Sequence, residues 1–265
     1  MRYFIDYIVL CHQGNVRNKN QDNFWCEGKF LESDNDGLAV PLENCIDNTD
    51  TSLFAVFDGM GGEKYGEMAA YLAAKTFNSF LSGNPKIDTK KFLSDVCEKM
   101  NVEINIHIEN NHTGHMGTTT AIITFNKKDI YICNVGDSKI FQYSTGKLTQ
   151  ISHDHVIAIS NEKKPALTQH LGIPKTEFNI TPYIAKGDYK TGDRYLICSD
   201  GLTDMVMNDE IEKMLTEQKN ISHCANALMS TALSNGGVDN ITIILCDIHK
   251  KIWGTPSKLR KDGNK

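Results

Sequence analysis

Apolar positions along the chain alternate between short runs of strand character and longer stripes of helical spacing. Tyr7-Ile-Val-Leu-Cys and Asn23-Phe-Trp-Cys read as strands, and Phe54-Ala-Val-Phe is a third that runs into Asp58-Gly59-Met60-Gly61-Gly62. Glu67 then opens a helix with Ala69, Leu72, Ala73, Phe77 and Phe80 on one face. Phe92, Val96, Met100, Ile104 and Ile108 recur at every fourth position of a second helix, after the stop-and-turn signal Ser82-Gly-Asn-Pro. Both stripes read as core packing. A meander of strands follows over 118–125, 130–135, 140–143 and 148–151, joined by Asn126-Lys-Lys-Asp and Ser144-Thr-Gly-Lys, tight polar turns that argue for antiparallel pairing. Tyr195-Leu-Ile-Cys leads into helices around Asp209–Glu217 and His223–Leu233, and 241–246 is the last strand. Residues 32–51 read as a polar surface loop with a short strand around Leu38-Ala-Val, and 152–190 are the least regular stretch. With no internal repeat and no dividing linker, the expectation is a single domain over residues 1–250 with a short flap around 153–190. A basic, polar, flexible tail would follow over 251–265.

Acidic residues gather at the margins of these strands. Asp58 ends one and is followed by three glycines within four positions, which let the backbone approach a neighbour closely or take positive φ. Taken alone, an Asp-Gly between strand and helix is also an ordinary turn. The context repeats, however, at Val135-Gly136-Asp137-Ser138, at Ser199-Asp200-Gly201 and at Val238-Asp239-Asn240, with Asp22 before the second strand. If these strands belong to two packed sheets, their ends converge on one rim. Crowded carboxylates repel and call for a shared cation. An all-oxygen ligand set points to Mg²⁺ or Mn²⁺ and away from zinc. Two such ions ~3.5–4 Å apart could hold a water as hydroxide and clamp phosphoryl oxygens for in-line attack. Arg17 could then bind the phosphate with its guanidinium fork, or be merely a solvated loop charge. His153-Asp-His155 looks like a metal pair but has no third ligand beside it, and His112 and His115 carry no more weight. No Ser-His-Asp or Cys-His arrangement competes for a covalent route.

Bulk properties narrow the class. Across 265 residues, 40% apolar and 23% charged, the chain has an ordinary globular composition, and its net charge of −5 provides no basic field for nucleic acid or an acidic membrane. The opening Met-Arg-Tyr-Phe-Ile-Asp does not read as a signal peptide, and no apolar run reaches membrane-spanning length. The eight cysteines contain no Cys-x-x-Cys pair, and Cys133, Cys198 and Cys246 fall inside expected strands. Reduced core cysteines in a cytoplasmic protein are the expectation.

Six motifs occur in one order: Arg17-x-x-Asn-Gln-Asp22, Phe57-Asp58-Gly-Met-Gly-Gly62, Gly117-Thr-Thr, Asn134-Val-Gly-Asp-Ser138, Ser199-Asp-Gly-Leu-Thr-Asp204 and Asp239-Asn240. Together they resemble the metal-dependent protein phosphatases (the PPM family, or protein phosphatase type 2C), from about residue 8 to 248. The chain looks like the compact bacterial branch. The resemblance implies an α+β fold, a four-layer α/β/β/α sandwich of two antiparallel sheets flanked by helices, with a dinuclear site in the cleft. It implies a serine/threonine phosphatase in which Asp58 bridges two Mg²⁺ or Mn²⁺ ions and the Gly59 carbonyl binds one of them. Asp200 and Asp239 would bind the other, Asp22 would hold a metal-bound water, and Arg17 the substrate phosphate. In bacterial relatives a third, weaker ion uses the equivalents of Asp137 and Asp200. The implied partners are phosphorylated proteins and a Ser/Thr kinase, with the phosphatase a monomer.

Three positions depart from the family pattern. Met60 stands where many eukaryotic members have histidine, Glu63 where bacterial ones often do, and Gln21 replaces a glutamate. The flap, with Lys163, Lys164 and Pro165, is shorter than usual. Two other readings stay open: a pseudophosphatase that uses the same sandwich to bind a partner, against which Asp58, Asp200 and Asp239 all count, and a phosphatase dedicated to a regulatory switch.

Overall fold

The structure, a computed structural model, describes residues 3–47, 51–60, 65–83, 89–127, 129–158 and 165–250. Its elements run β1 (Tyr3–His12), β2 (Asp22–Cys26), β3 (Leu42–Asp47), β4 (Ser52–Met60), α1 (Gly66–Gly83), α2 (Thr89–Asn111), β5 (Gly117–Thr118), β6 (Thr120–Phe125) and β7 (Asp129–Val135). There follow β8 (Lys139–Ser144), β9 (Lys147–Gln150), β10 (Val156–Ile157), β11 (Ala166–Leu167), β12 (Tyr183–Asp188), β13 (Arg194–Cys198), α3 (Asp200–Thr203), α4 (Asn208–Glu217), α5 (Ile221–Ser234) and β14 (Ile241–Lys250).

Two antiparallel sheets carry the chain. The first has the order β3-β1-β14-β13-β8-β9, and the second β12-β7-β6-β4-β2, with β5 paired to the end of β4. Their strands are apolar almost without alternation because both faces are covered. Ile5, Tyr7 and Val9 of β1 point inward and meet Phe54 and Val56 of β4 in the core between the sheets. Tyr7 packs edge-on against Phe54 with ring centroids 5.2 Å apart. The intervening Ile8 and Leu10 point outward and pack with Ile211, Leu215 and Leu228 of α4 and α5. On the far side, Trp25, Phe57 and Ile122 pack with Ala69, Ala73 and Phe77 of α1 and with Phe92, Val96 and Met100 of α2. The layers are therefore α/β/β/α, as the resemblance implied.

Local expectations shift in three places. The short strand expected around Leu38 lies instead at Leu42–Asp47, where Ile46 stands opposite Ile5. Leu38 contributes one backbone hydrogen bond, donated to the Cys11 carbonyl at 2.8 Å. This edge strand, with Glu43, Asn44 and Cys45 exposed, lacks the apolar run that marks the inner strands. Secondly, the meander is not one sheet: β6 and β7 pair in the second sheet, β8 and β9 in the first. The chain crosses between sheets at Gly136-Asp137-Ser138. Thirdly, within the stretch expected as a flap, β10 and β11 form a small hairpin, but Tyr183–Asp188 pairs with β7 as the edge of the second sheet. Its alternation of half-buried and exposed residues is too short and polar to stand out.

Gly61, Gly62 and Glu63, the Asn84-Pro85 turn, Lys128, Lys163 and Lys164, and the tail over 251–265 lie outside the described residues. All eight cysteines are free thiols, seven of them buried and Cys45 exposed. Among the described residues no helix is long and apolar enough to cross a membrane.

Candidate metal centre

Pairing of β2 with β4 sets Asp22 directly opposite Asp58 in the second sheet. In the first sheet, β13 and β14 lie side by side, with Cys198 opposite Ile243. Asp200 therefore leaves the end of one strand as Asp239 enters the start of its neighbour. Asp137 sits on the crossover between the sheets. The aspartates singled out from the sequence thus come from both layers to one end of the sandwich.

Their mutual influence is the electrostatic signature of that convergence. Asp58 is held well above the usual carboxylate range, first by burial and then by the negative charge of Asp200, Asp22, Asp137 and Asp239. Asp22 is pushed up to about 7, mainly by burial. Hydrogen bonds from Thr242 and Ser199 work against the rise, and the charges of Asp200 and Asp239 add to it. The hydroxyls of Ser199 and Thr242 each donate to Asp22 Oδ2 at 2.7 Å. Arg17 brings positive charge to the cluster, its Nη2 donating to Asp239 Oδ2 at 2.6 Å. The guanidinium expected to meet a phosphate is here the counter-charge of an expected metal ligand.

A polar frame fixes these positions. The Asn240 side chain accepts from the Gln21 N–H at 2.8 Å and donates to the Gln13 and Lys19 carbonyls at 2.7 and 2.8 Å, which staples the loop that carries Arg17. Thr118 Oγ1 donates to the Asp58 carbonyl at 2.9 Å, and the Asp58 N–H donates to Thr119 Oγ1 at 3.2 Å. The Gly-Thr-Thr motif thereby clamps the backbone of Asp58 on both sides. Gly59 is required by close approach: a Cβ there would lie 2.3 Å from the Gly66 carbonyl oxygen and 2.4 Å from that of Gln21.

Other sequence candidates fall elsewhere. His155 Nδ1 accepts the Gly136 N–H at 3.2 Å, and His153 packs across the His155 and Tyr183 rings, so that pair is committed to structure. His112 and His115 are exposed on the segment after α2. The Gln21 amide donates to Glu67 at 3.2 Å, and Met60 pairs with Gly117. Thr242 was the residue not singled out in the sequence. The available signal was a lone hydroxyl inside the apolar run Ile241-Thr242-Ile243-Ile244.

The donor set fits hard divalent cations. Asp22, Asp58, Asp137, Asp200 and Asp239 offer carboxylate oxygens whose burial and repulsion a cation would relieve, with no thiolate or imidazole among them.

A sequence profile described as Protein phosphatase 2C matches residues 42–235. The chain belongs to the protein phosphatase 2C family. Among curated members of that family, the serine/threonine phosphatase Stp of Listeria monocytogenes is 27% identical over 254 residues, covering 89% of this chain and 92% of Stp. The serine/threonine protein phosphatase PstP of Mycobacterium tuberculosis is 30% identical over 254 residues, covering 91% of this chain but 45% of PstP. The 2C fold extends over nearly all of the chain. A crystal structure of the PstP catalytic domain in complex with two manganese ions superposes with a TM-score of 0.73 at 26% identity, over 94% of this chain and all (100%) of that one. Staphylococcus aureus Stp1 superposes with a TM-score of 0.76 at 25% identity, over 92% and 95% of the respective chains.

Proposed function

We propose that this protein hydrolyses phosphoserine and phosphothreonine in proteins, using two Mg²⁺ or Mn²⁺ ions held by the cleft aspartates. The observation that carries the reading is the convergence of Asp22 and Asp58 from one sheet with Asp200 and Asp239 from the other. Burial and mutual repulsion at that rim disfavour four negative charges unless a cation is shared. When bound, the ions supply an activated water nucleophile and neutralise charge on the phosphoryl oxygens.

The chain's own residues divide the remaining work. Asp58 and the Gly59 carbonyl would hold ions from the side of the second sheet, Asp200 and Asp239 from the side of the first. Asp137, on the crossover, would join Asp200 around a third, weaker ion. Asp22, oriented by the hydroxyls of Ser199 and Thr242, would hold the metal-bound water. Arg17, held at the rim by the loop that Asn240 staples, moves from Asp239 to the substrate phosphate, where its planar fork matches two phosphoryl oxygens. Residues 1–250 form the catalytic unit. A cytoplasmic monomer opposed to a Ser/Thr kinase is the setting this assigns to it.

Matched phosphothreonine and phosphotyrosine peptides assayed with Mn²⁺ test the reading. The phosphothreonine peptide is the expected faster substrate. Mn²⁺ binding without phosphate release from either peptide would overturn the catalytic assignment and leave a partner-binding module.

A further inference from the structure

The end of the first sheet opposite the cleft carries a second set of ligating side chains. β14 enters the sheet at Ile241, just after Asp239, and runs to Lys250, so that His249 lies about 27 Å beyond Ile241 at strand rise. There three neighbouring strands present side chains together. Cys45 of β3 stands directly opposite Asp6 of β1. His249 of β14, opposite Phe4 and so two pairs along from Asp6 on the same face, brings Nδ1 to 3.6 Å from Asp6 Oδ2. One donor atom each from Asp6, Cys45 and His249 lies within 4.8 Å of the others, on a surface open to solvent.

Two neighbours sharpen the set. Asp247, also opposite Asp6, is engaged by Arg194, whose Nε and Nη2 donate to its two oxygens at 2.7 and 3.1 Å. It is thus neutralised and withdrawn from the trio. The His249 ring lies nearly parallel to Phe4, at 7° and 6.1 Å between centroids, which fixes the plane of the imidazole.

We propose that Asp6, Cys45 and His249 form a site for one thiophilic divalent cation of the zinc class, chemically separate from the oxygen-lined cleft. Thiolate, imidazole and carboxylate are the donors that Zn²⁺ takes, and three of them leave a fourth tetrahedral position open to water. A closure from the observed spacing to roughly 3.5 Å between donors completes the geometry. Partial desolvation against the sheet, the hydrogen bond with Asp6 and the charges of Asp6 and Asp47 push the Cys45 thiol up to about 12, although the residue as a whole is solvent-exposed. A bound cation reverses that balance and releases the thiol proton. The ion ties the edge strand β3 to β1 and to the last residues of β14.

The test uses the full chain, metal-stripped, titrated with Co²⁺ alone as a spectroscopic probe and then with Zn²⁺. One equivalent of Co²⁺ is expected to give a near-ultraviolet thiolate-to-cobalt absorption that Zn²⁺ abolishes. Cys45→Ser and His249→Gln should lose it, while Asp239→Asn in the cleft keeps it. With the cleft saturated by Mg²⁺, added Zn²⁺ should raise the Tm of the wild type and leave that of Cys45→Ser unchanged. Absence of the absorption at one equivalent, or its survival in Cys45→Ser, would overturn the site. Should Cys45→Ser fold poorly, Asp6→Asn and His249→Gln, both with the thiol intact, decide the matter by the same absorption.

Discussion

Asp22→Asn should make the metal-free protein more stable at neutral pH while removing its metal-dependent activity. In the folded chain the Asp22 carboxyl titrates at about 7 rather than at its ordinary 3.8, because burial penalises the charged form more than two hydroxyl donors favour it. The folded state therefore binds the proton more tightly than the unfolded state does. Stability from this group is fully present below about 3.8 and is lost as pH rises towards 7. The rise corresponds to roughly 4 kcal/mol between the protonated and ionised limits. Burial is the larger part of that rise and an amide in the same place still incurs part of it, while the repulsion from Asp200 and Asp239 is removed, so the substitution should recover about half, roughly 2 kcal/mol. Asparagine keeps the volume and still accepts from Ser199 and Thr242. The assay is urea unfolding of chelator-treated wild type and Asp22→Asn at pH 5 and pH 7.5, each with and without Mn²⁺. The variant should be the more stable at pH 7.5, the two should approach each other at pH 5, and Mn²⁺ should favour the wild type. A variant less stable than wild type at both pH values would show that Asp22 is a net stabiliser, and the charge-crowding argument would fail.

Arg17→Ala should raise the KM for a phosphothreonine peptide about ten- to a hundredfold, the loss of a charge-assisted contact of about 1.5–3 kcal/mol, with kcat less affected; steady-state kinetics at saturating Mn²⁺ read both. Arg194→Met removes the partner of the largely buried Asp247 and the donor to the Leu215 and Gln218 carbonyls at the end of α4, at 2.9 and 2.8 Å. It should cost about 3 kcal/mol in urea unfolding at pH 7, with the residual protein still active.

Much of this architecture could be read from the chain because the inner strands and the two long helices bury wide apolar faces, and burial leaves periodicity. Edge elements leave less. Leu42–Asp47 exposes Glu43, Asn44 and Cys45, and Tyr183–Asp188 is half polar, so neither stood out from loop. The crossing from β7 to β8 was hidden for another reason. A tight polar connection looks the same whether it returns along one sheet or steps to the next, and only the packing of Ile140 against the inner face of β13 decides it. At the site, the aspartates were legible because each ends or begins a strand beside glycine or asparagine. The frame around them was not. Thr242 and Asn240 act through atoms up to 227 positions away in the chain, and nothing local in the sequence announces a partner at that distance. Likewise the pairing of Arg17 with Asp239 joins residues 222 positions apart.

The most direct test of the central claim is phosphate release from a phosphothreonine peptide by metal-stripped protein, before and after addition of Mn²⁺, for wild type and Asp239→Asn. The account predicts no release without metal, restoration by Mn²⁺ in the wild type, and loss of that restoration in the variant with its fold intact. Equal activity with and without metal, or full Mn²⁺-dependent activity in Asp239→Asn, would contradict a site built from aspartates of both sheets.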